Sequence, residues 1–260
     1  MLPKALNHIM VIFALHKAPR NMKKLATLLL LCFVAFPSAS CTAQKIGKEA
    51  YTYKEGDPYG TGKWYMGREI AHVMGYQGMG WLVRPEREEE ENTSALLQNM
   101  EIQPTDTIAD IGAGAGYHVF KMAKMAAKGL IYAVDIQDEM LAELERRKSK
   151  AKIGNVAVVK GSEESINLPA NSLDKVLLVD VYHEFSYPDR IMASIRRALK
   201  PDGQVFLIEY RGEDRSVPIK KVHKMTERQA VLEMGAAGFR LAQNMGNLPW
   251  QHCMVFVKKP

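Results

Sequence analysis

The chain has 260 residues, of which 47% are apolar and 25% charged, with 19 glycines and 12 prolines. That composition excludes a disordered or fibrous class and leaves room for one large domain or two small ones. The formal charge of +6 invites a nucleic-acid reading, but residues 1–40 hold five cations (Lys4, Lys17, Arg20, Lys23, Lys24) and no acid, which leaves 30 Lys and Arg against 29 Asp and Glu in the remainder. The basicity belongs to the leader, and no nucleic-acid partner is expected.

The leader reads as an export signal over residues 1–40. Lys23-Lys24 makes a positive region, Leu25 to Phe36 is a 12-residue apolar core broken only by Thr27, and Pro37-Ser-Ala-Ser40 supplies small residues for cleavage. A permanent span needs about 20 apolar residues, so this core is too short for one. Met22, directly before the lysine pair, is an alternative start. Ser38-Ala39-Ser40-Cys41 resembles a bacterial lipobox, with Ser38 where Leu is usual, and implies a periplasmic protein anchored to the membrane through a lipidated Cys41. A soluble periplasmic form and an unexported form are the alternatives. Of the three cysteines, Cys32 leaves with the signal, and lipidation of Cys41 makes Cys253 a lone thiol. No CxxC pair or Cys/His array is present, so a structural zinc is excluded.

Residues 41–63 are polar and turn-rich (Gly56, Pro58, Gly60, Gly62) and read as a tether. Residues 64–104 read as an N-terminal helical cap: a helix from Met66 to Met74, a Gly-rich step, and a second helix whose apolar face is Leu96, Leu97 and Met100. The run from Arg84 to Asn92, with four glutamates in succession (Glu88 to Glu91), is expected to be the solvated face of that helix, with Arg84 and Arg87 in surface ion pairs or reaching an anionic acceptor.

Residues 105–260 change pattern to short apolar runs alternating with amphipathic segments. Thr107–Ile111, Ile131–Val134, Val156–Val159, Val176–Val179 and Val205–Ile208 predict fully buried strands. Helical stripes lie between them at Val119–Ala127, Met140–Leu144 and Ile191–Leu199, the last ended by a turn at Lys200-Pro-Asp-Gly203. The alternation predicts an α/β, Rossmann-like doubly wound sheet, mostly parallel with helices on both faces. Phe239–Ala242 and Cys253–Val257 predict an antiparallel hairpin at the sheet edge.

The chemistry sits after the first of these strands, in Asp110-Ile-Gly112-Ala113-Gly114-Ala-Gly116. Glycines permit a tight turn and a close approach of ligand to backbone N–H groups. A dinucleotide fingerprint would need Gly at 117, where Tyr117 stands, and the Gly-Lys-Ser/Thr of a P-loop is absent. An acid, Asp135, ends the next strand 25 residues after Asp110 and suits a ribose, while Asp110 could pair with a ligand amine. The absence of nearby cations argues against a phosphate-bearing cofactor.

Residues 107–210 resemble the class I S-adenosylmethionine-dependent methyltransferases. Asp110–Gly116 looks like their motif I, Asp135 (followed by Ile136) like the ribose-binding acid, and Gly161-Ser-Glu-Glu164 like the segment that contacts the adenine, with Ser162 where an acid is usual and Glu163 after it. Asp180 opens a loop, Asp180-Val-Tyr-His-Glu-Phe185, similar to the one after their fourth strand, and Leu199–Gly203 is similar to their L-K-P-G-G turn. The flanks Gly67–Ala71, Trp81–Glu91, Glu209–Arg211 and Leu248–His252 resemble an uncharacterised exported bacterial group of these enzymes. The resemblance implies S-adenosylmethionine as cofactor and an unidentified small-molecule, lipid or protein acceptor in the cell envelope. It leaves the oligomeric state open. The alternative is a cofactor-binding but catalytically degenerate envelope interaction protein.

His183 is the candidate general base, with Glu184 as its orienter or substitute; a residue that only shapes the pocket is the competing account. Glu209 reads as a site residue or an ion-pair partner, Trp250 and His252 as edge packing, and His223 as part of an exposed loop. The spacing of His183, Glu184, Glu209 and His223 gives no support to a metal, and none is expected.

Overall fold

The computed structural model describes residues 50–260. The leader, the proposed cleavage and lipidation site and the first part of the expected tether lie outside the described residues. Among those described, no helix is long and apolar enough to cross a membrane.

The chain between Thr107 and Lys258 builds one seven-stranded sheet from β4 (Thr107–Ile111), β5 (Leu130–Asp135), β6 (Val156–Lys160), β7 (Leu173–Val179), β8 (Leu199–Tyr210), β9 (Phe239–Met245) and β10 (Gln251–Lys258). Their order is β6-β5-β4-β7-β8-β10-β9. The first five pair in parallel, and β10 runs antiparallel to both β8 and β9. This is the mostly parallel doubly wound sheet with an antiparallel terminal hairpin that the alternation of segments predicts.

The near-continuous apolar strands are explained by burial on both faces. Successive side chains of a strand point to opposite faces, and here they enter two separate cores. Ala109, Val176, Leu178, Val205, Leu207, Met254 and Phe256 pack with α6 (Pro188–Ala198) and α7 (Glu227–Ala236). Ile108, Leu177, Phe206, Ile208, Cys253 and Val255 pack on the other face with α3 (Thr93–Asn99), α4 (Val119–Met125) and α5 (Asp138–Ala151). Each such fully buried aliphatic or aromatic side chain contributes roughly 1.5–3 kcal/mol relative to exposure.

The segment before the sheet departs from expectation. In place of a tether and a Met66–Met74 helix there is a three-stranded antiparallel sheet of β1 (Tyr51–Tyr53), β2 (Gly60–Tyr65) and β3 (Arg68–Ala71). Met66 and Gly67 have φ of 48° and 90° and close the pair Tyr65↔Arg68, which is the two-residue hairpin geometry that matches strand twist. That turn signal overrides the helical spacing of the apolar residues after it. The small sheet is bound to the rest by buried polar contacts. Arg68 makes a two-pronged ion pair with Glu233 of α7, at 2.8 and 3.0 Å, and donates to the carbonyl of His183 at 3.0 Å.

Three further differences are local. The expected second helix is three short ones, α1 (Met79–Leu82), α2 (Arg87–Glu91) and α3, because Asn92 adopts φ 52° and its side chain accepts from Ala95 N–H to cap α3. The turn at Lys200–Gly203 lies within β8 as an irregularity: Leu173 pairs with Leu199, yet Lys175 pairs with Gln204. Helix α7 was unexpected, although Thr226-x-x-Gln229 carries a start signal that the structure uses, Thr226 Oγ1 accepting from Gln229 N–H at 3.1 Å. Its apolar stripe is short because Glu233, on the buried face, holds Arg68.

Candidate functional site

In an open parallel sheet, ligands bind beyond the carboxyl ends of the strands. A cavity of about 550 Å³ lies there, bounded by the ends of β4, β5, β6, β7 and β8 and roofed by Val73, Met74, Trp81 and Leu82 from the N-terminal segment. Its volume is in the range of small-molecule sites.

Of the residues expected to hold a cofactor, Gly112, Gly114, Asp135, Ile136, Ser162, Glu163 and Asp180 line this cavity. The glycines at 112, 114 and 116 have φ of 71°, 53° and 80°, a region that L side chains avoid. A Cβ on Gly112 would collide with Val181, and one on Gly114 would come within 2.5 Å of Leu82. Gly116 does not reach the cavity; it packs against Phe120 and Leu144 and turns the chain into α4. Ala113 and Asp110 border a separate void of about 30 Å³ beneath the loop, with Arg87, Tyr117 and His118. Asp110 lines this void and is not among the residues lining the larger cavity. Burial pushes its carboxyl up to about 7, against the pull of Arg87.

Asp135 is fixed by the backbone. Its Oδ2 accepts from Gly114 N–H at 2.9 Å and its Oδ1 from Gln137 N–H at 3.0 Å. Each oxygen keeps acceptor capacity for a ligand hydroxyl. Asp180, with φ 50°, accepts from Gln251 Nε2 at 2.6 Å through Oδ2, while its buried Oδ1 has no partner. Burial, together with Glu91 and Glu209, holds its pKa well above the carboxylate range.

Five carboxylates (Glu91, Asp135, Glu163, Asp180, Glu184) and two permanent cations (Arg87, Lys220) line the cavity. Arg87 is committed to Glu91, at 2.6 Å, and to the carbonyl of Leu82. Such a site suits a ligand bearing positive charge and hydroxyls, and is poorly equipped for phosphate. The donor set, the strained glycines and the orphaned Asp180 oxygen fit S-adenosylmethionine, whose sulfonium and ammonium are cationic.

The acid run is the expected solvated face only in part: Glu86 and Glu89 are exposed, whereas Glu91 is buried. Arg84 pairs with Glu90 and Glu91 at 2.6 and 2.7 Å, Arg87 with Glu91, and the buried Tyr210 hydroxyl donates to Glu91 at 2.9 Å. Arg87 and Glu91 are buried, so one face of α2 forms a charged wall of the cavity while Glu89 on the other stays exposed.

The same cavity is lined by both expected catalytic residues and by one expected elsewhere, His223. His183 and Glu184 sit in a 3-10 turn, Tyr182–Glu184, just beyond β7. His183 is held at three points: its N–H donates to Glu209 Oε1 at 3.3 Å, its Nδ1 lies 2.6 Å from Glu209 Oε2, and its carbonyl accepts from Arg68. The orienting acid is thus the fully buried Glu209 of β8, and the adjacent Glu184, expected in that role, instead accepts from Met74 N–H at 3.1 Å. Burial works against a charge on His183, but the Glu209 carboxylate outweighs it and raises the imidazole above its ordinary value. Burial pushes Glu184 up to about 7, with His183 pulling the other way.

His223 does not lie in an exposed loop. A 3-10 turn, Lys221–His223, brings its Nδ1 to 3.1 Å from His183 Nε2 and 4.0 Å from Glu184 Oε1. Burial and the neighbouring His183 and Lys220 push it down to about 4, so it is neutral at physiological pH. Its sequence surroundings, Lys220-Lys-Val-His-Lys224, gave no sign of this. The available hint was Val222, an apolar residue between cations, whose burial turns His223 inward. His252 is peripheral: it contacts Glu213 at 2.9 Å and Asn244 at 3.1 Å and is not among the residues lining the cavity.

Comparison with known proteins agrees with this geometry. Residues 109–207 match a family model described as a methyltransferase domain. An uncharacterized methyltransferase of Bacillus subtilis, YdaC, is 32% identical over 143 residues, covering 55% of this chain and 76% of that protein. The ubiquinone/menaquinone biosynthesis C-methyltransferase UbiE of Shewanella piezotolerans is 25% identical over 142 residues, and the match spans only about half of each protein, 54% and 56%. Among solved structures, a SAM-dependent methyltransferase from Aquifex aeolicus superposes with a TM-score of 0.67 at 25% identity, over 71% of this chain and 98% of that one.

Proposed function

Because this chain belongs to the methyltransferase-domain family and is an S-adenosylmethionine-dependent methyltransferase, we propose that it methylates a small acceptor held at the His183–Glu184–His223 end of the cavity, and that it does so in the bacterial cell envelope. When bound, S-adenosylmethionine supplies a sulfonium-activated methyl group, the electron pair of the broken carbon–sulfur bond staying on sulfur. In this reading Asp135 holds the ribose hydroxyls, Gly112 and Gly114 let the cofactor approach the backbone, Ile136, Ser162 and Glu163 flank the base, and the unpartnered Asp180 oxygen receives the ammonium.

The single observation that carries the acceptor assignment is the His183–Glu209 contact of 2.6 Å, which fixes the imidazole in the cavity wall. A carboxylate on Nδ1 fixes that nitrogen as the donor and leaves Nε2 with its lone pair toward the cavity. An acceptor O–H, N–H or S–H placed there loses its proton to this cluster as its heteroatom takes the methyl group. Other residues of the wall, Val73, Trp81 and Leu82, are apolar and suit an acceptor with a hydrophobic body. The match to the UbiE proteins, whose names state C-methylation in quinone biosynthesis, is compatible with an apolar acceptor and goes no further. His183→Ala in the full chain is expected to bind S-adenosylmethionine normally, by calorimetry, and to lose transfer to acceptor; loss of cofactor binding instead would move His183 to the wrong end of the cavity.

The envelope location rests on Lys23-Lys24, the Leu25–Phe36 core and the lipobox-like Ser38–Cys41. Membership in the exported group of these enzymes rests on the flanking segments named above. Detergent partitioning of wild type against Cys41→Ser tests it. Both proteins fractionating alike as soluble species would replace the lipoprotein reading by ordinary signal cleavage or none.

A further inference from the structure

We infer that His183, Glu184 and His223 form a binding site for one divalent transition-metal ion at the acceptor end of the cavity. The three ligand atoms come from two separate 3-10 turns and all lie within 4.8 Å of one another. His183 Nε2 and His223 Nδ1 are 3.1 Å apart. Two imidazole nitrogens on a tetrahedral zinc, each at 2.0–2.1 Å, stand roughly 3.3 Å apart. Glu184 Oε1, at 3.9 and 4.0 Å from the two nitrogens, needs only a small side-chain rotation to complete the face.

The surroundings are those of a ligand set held in advance. Glu209 is fully buried and accepts from His183 Nδ1, the carboxylate–histidine arrangement that fixes tautomer and ring orientation in metal sites. With Nδ1–H spent on Glu209, His183 Nε2 is a lone pair aimed at the centre of the cluster. Arg68 locks the His183 carbonyl. The His223 segment is pinned by Lys224, whose ammonium donates to the carbonyls of Asp214 and Val217 at 3.0 and 2.5 Å. The side opposite these supports opens into the cavity, so an ion held by three protein ligands keeps a free position facing it, as catalytic sites do.

Two nitrogens and one carboxylate oxygen favour a first-row transition ion such as zinc or cobalt over magnesium or calcium, which take oxygen ligands. In the free position the ion would bind the acceptor's heteroatom and lower its pKa; with His183 Nε2 occupied by the ion, the proton would leave to water, in place of the transfer to the imidazole cluster described above, before the methyl group is taken. This role rests on the proposed placement of the acceptor; the binding site itself does not. A proton shared between the two imidazoles is the rival way to fill the 3.1 Å gap, and added metal separates the two.

The test is titration of the full chain, stripped with a chelator, with Co²⁺ followed by its visible absorption and with Zn²⁺ followed by calorimetry. One saturable equivalent is expected, insensitive to excess Mg²⁺. His223→Ala, a half-buried position that leaves Glu209 and Arg68 in place, should weaken binding by at least about 100-fold, and Glu209→Gln by about 10- to 100-fold. Failure of wild type to bind either ion, or equal binding by His223→Ala, would overturn the site. S-adenosylmethionine affinity measured on the same samples separates the two proposals: metal bound by a protein that ignores the cofactor would sink the functional reading and leave the metal site standing, and the reverse result would do the opposite.

Discussion

At the Asp135 end of the cavity the shape is set by backbone: Gly112 and Gly114 in left-handed conformations and a carboxylate held by two main-chain N–H groups. At the His183 end it is set by side chains delivered from distant parts of the sequence, with Arg68, Glu184, Glu209 and His223 meeting around one imidazole. The first end lies within residues 109–207, which match the methyltransferase family, whereas Arg68, Glu209 and His223 all lie outside that stretch. A ribose and an adenine are the same in every relative, so backbone geometry can serve them all. An acceptor differs between enzymes, and side chains from outside the matched stretch can change without disturbing the turn.

The division makes mutational effects separable. The largest effect is expected at the side-chain end: His183→Ala should cut transfer to acceptor by about 10²–10⁴-fold while leaving cofactor affinity nearly unchanged. Single-turnover rates beside calorimetry check this, and a parallel fall in both would mean that the ends are not independent. Asp135→Ala should do the converse, weakening S-adenosylmethionine binding by about 10- to 100-fold, the scale of losing hydrogen bonds to a charged group. Circular dichroism should show the fold intact.

A pH series sharpens the boundary between the ends. Asp180 is held protonated above the usual carboxylate range, and a cationic ligand favours its ionised form. Cofactor affinity should therefore rise with pH, by at most about tenfold per unit, and Asp180→Asn should flatten the profile. A separate effect is on stability. The folded protein keeps the Asp110 proton to about pH 7, whereas the unfolded chain releases it near the ordinary value of 3.8. Wild type thus loses stability as pH rises between those values. Asp110→Asn should unfold at the wild-type temperature near pH 3.5 and gain on it by up to about 1.4 kcal/mol per pH unit above that, levelling off past pH 7.

The same contrast explains what could be read from the sequence. Thr107–Ile111 and the other parallel strands were legible because burial on both faces makes each a short unbroken apolar run. The glycine turn was legible because only glycine accepts those backbone angles. The N-terminal sheet was not, since Ile70, Val73 and Met74 mimic helical spacing and the turn at Met66-Gly67 lacks the usual Asn or Asp. Helix α7 hid behind Glu233, a charge on a buried face that makes sense only with Arg68 opposite it. The buried wall of α2 was hidden for the same reason: Glu91 looks solvated until Arg84, Arg87 and Tyr210 surround it. His223 lies 40 residues from His183, and no local pattern reports such a meeting.

The ion pair between Arg68 and Glu233 also bears on where this protein can be cut. Both side chains are buried, and each reaches the other across the join between the small N-terminal sheet and α7. A fragment trimmed to residues 105–260, the length suggested by the alternation of strands and helices, would retain the glutamate and discard the arginine. Stripping one partner from a buried pair costs about 3–5 kcal/mol, a large share of the stability of an ordinary domain. It would also free the carbonyl of His183. The smallest piece that looks like a methyltransferase is thus shorter than the smallest piece able to stand alone, and expression boundaries are best set upstream of Tyr51.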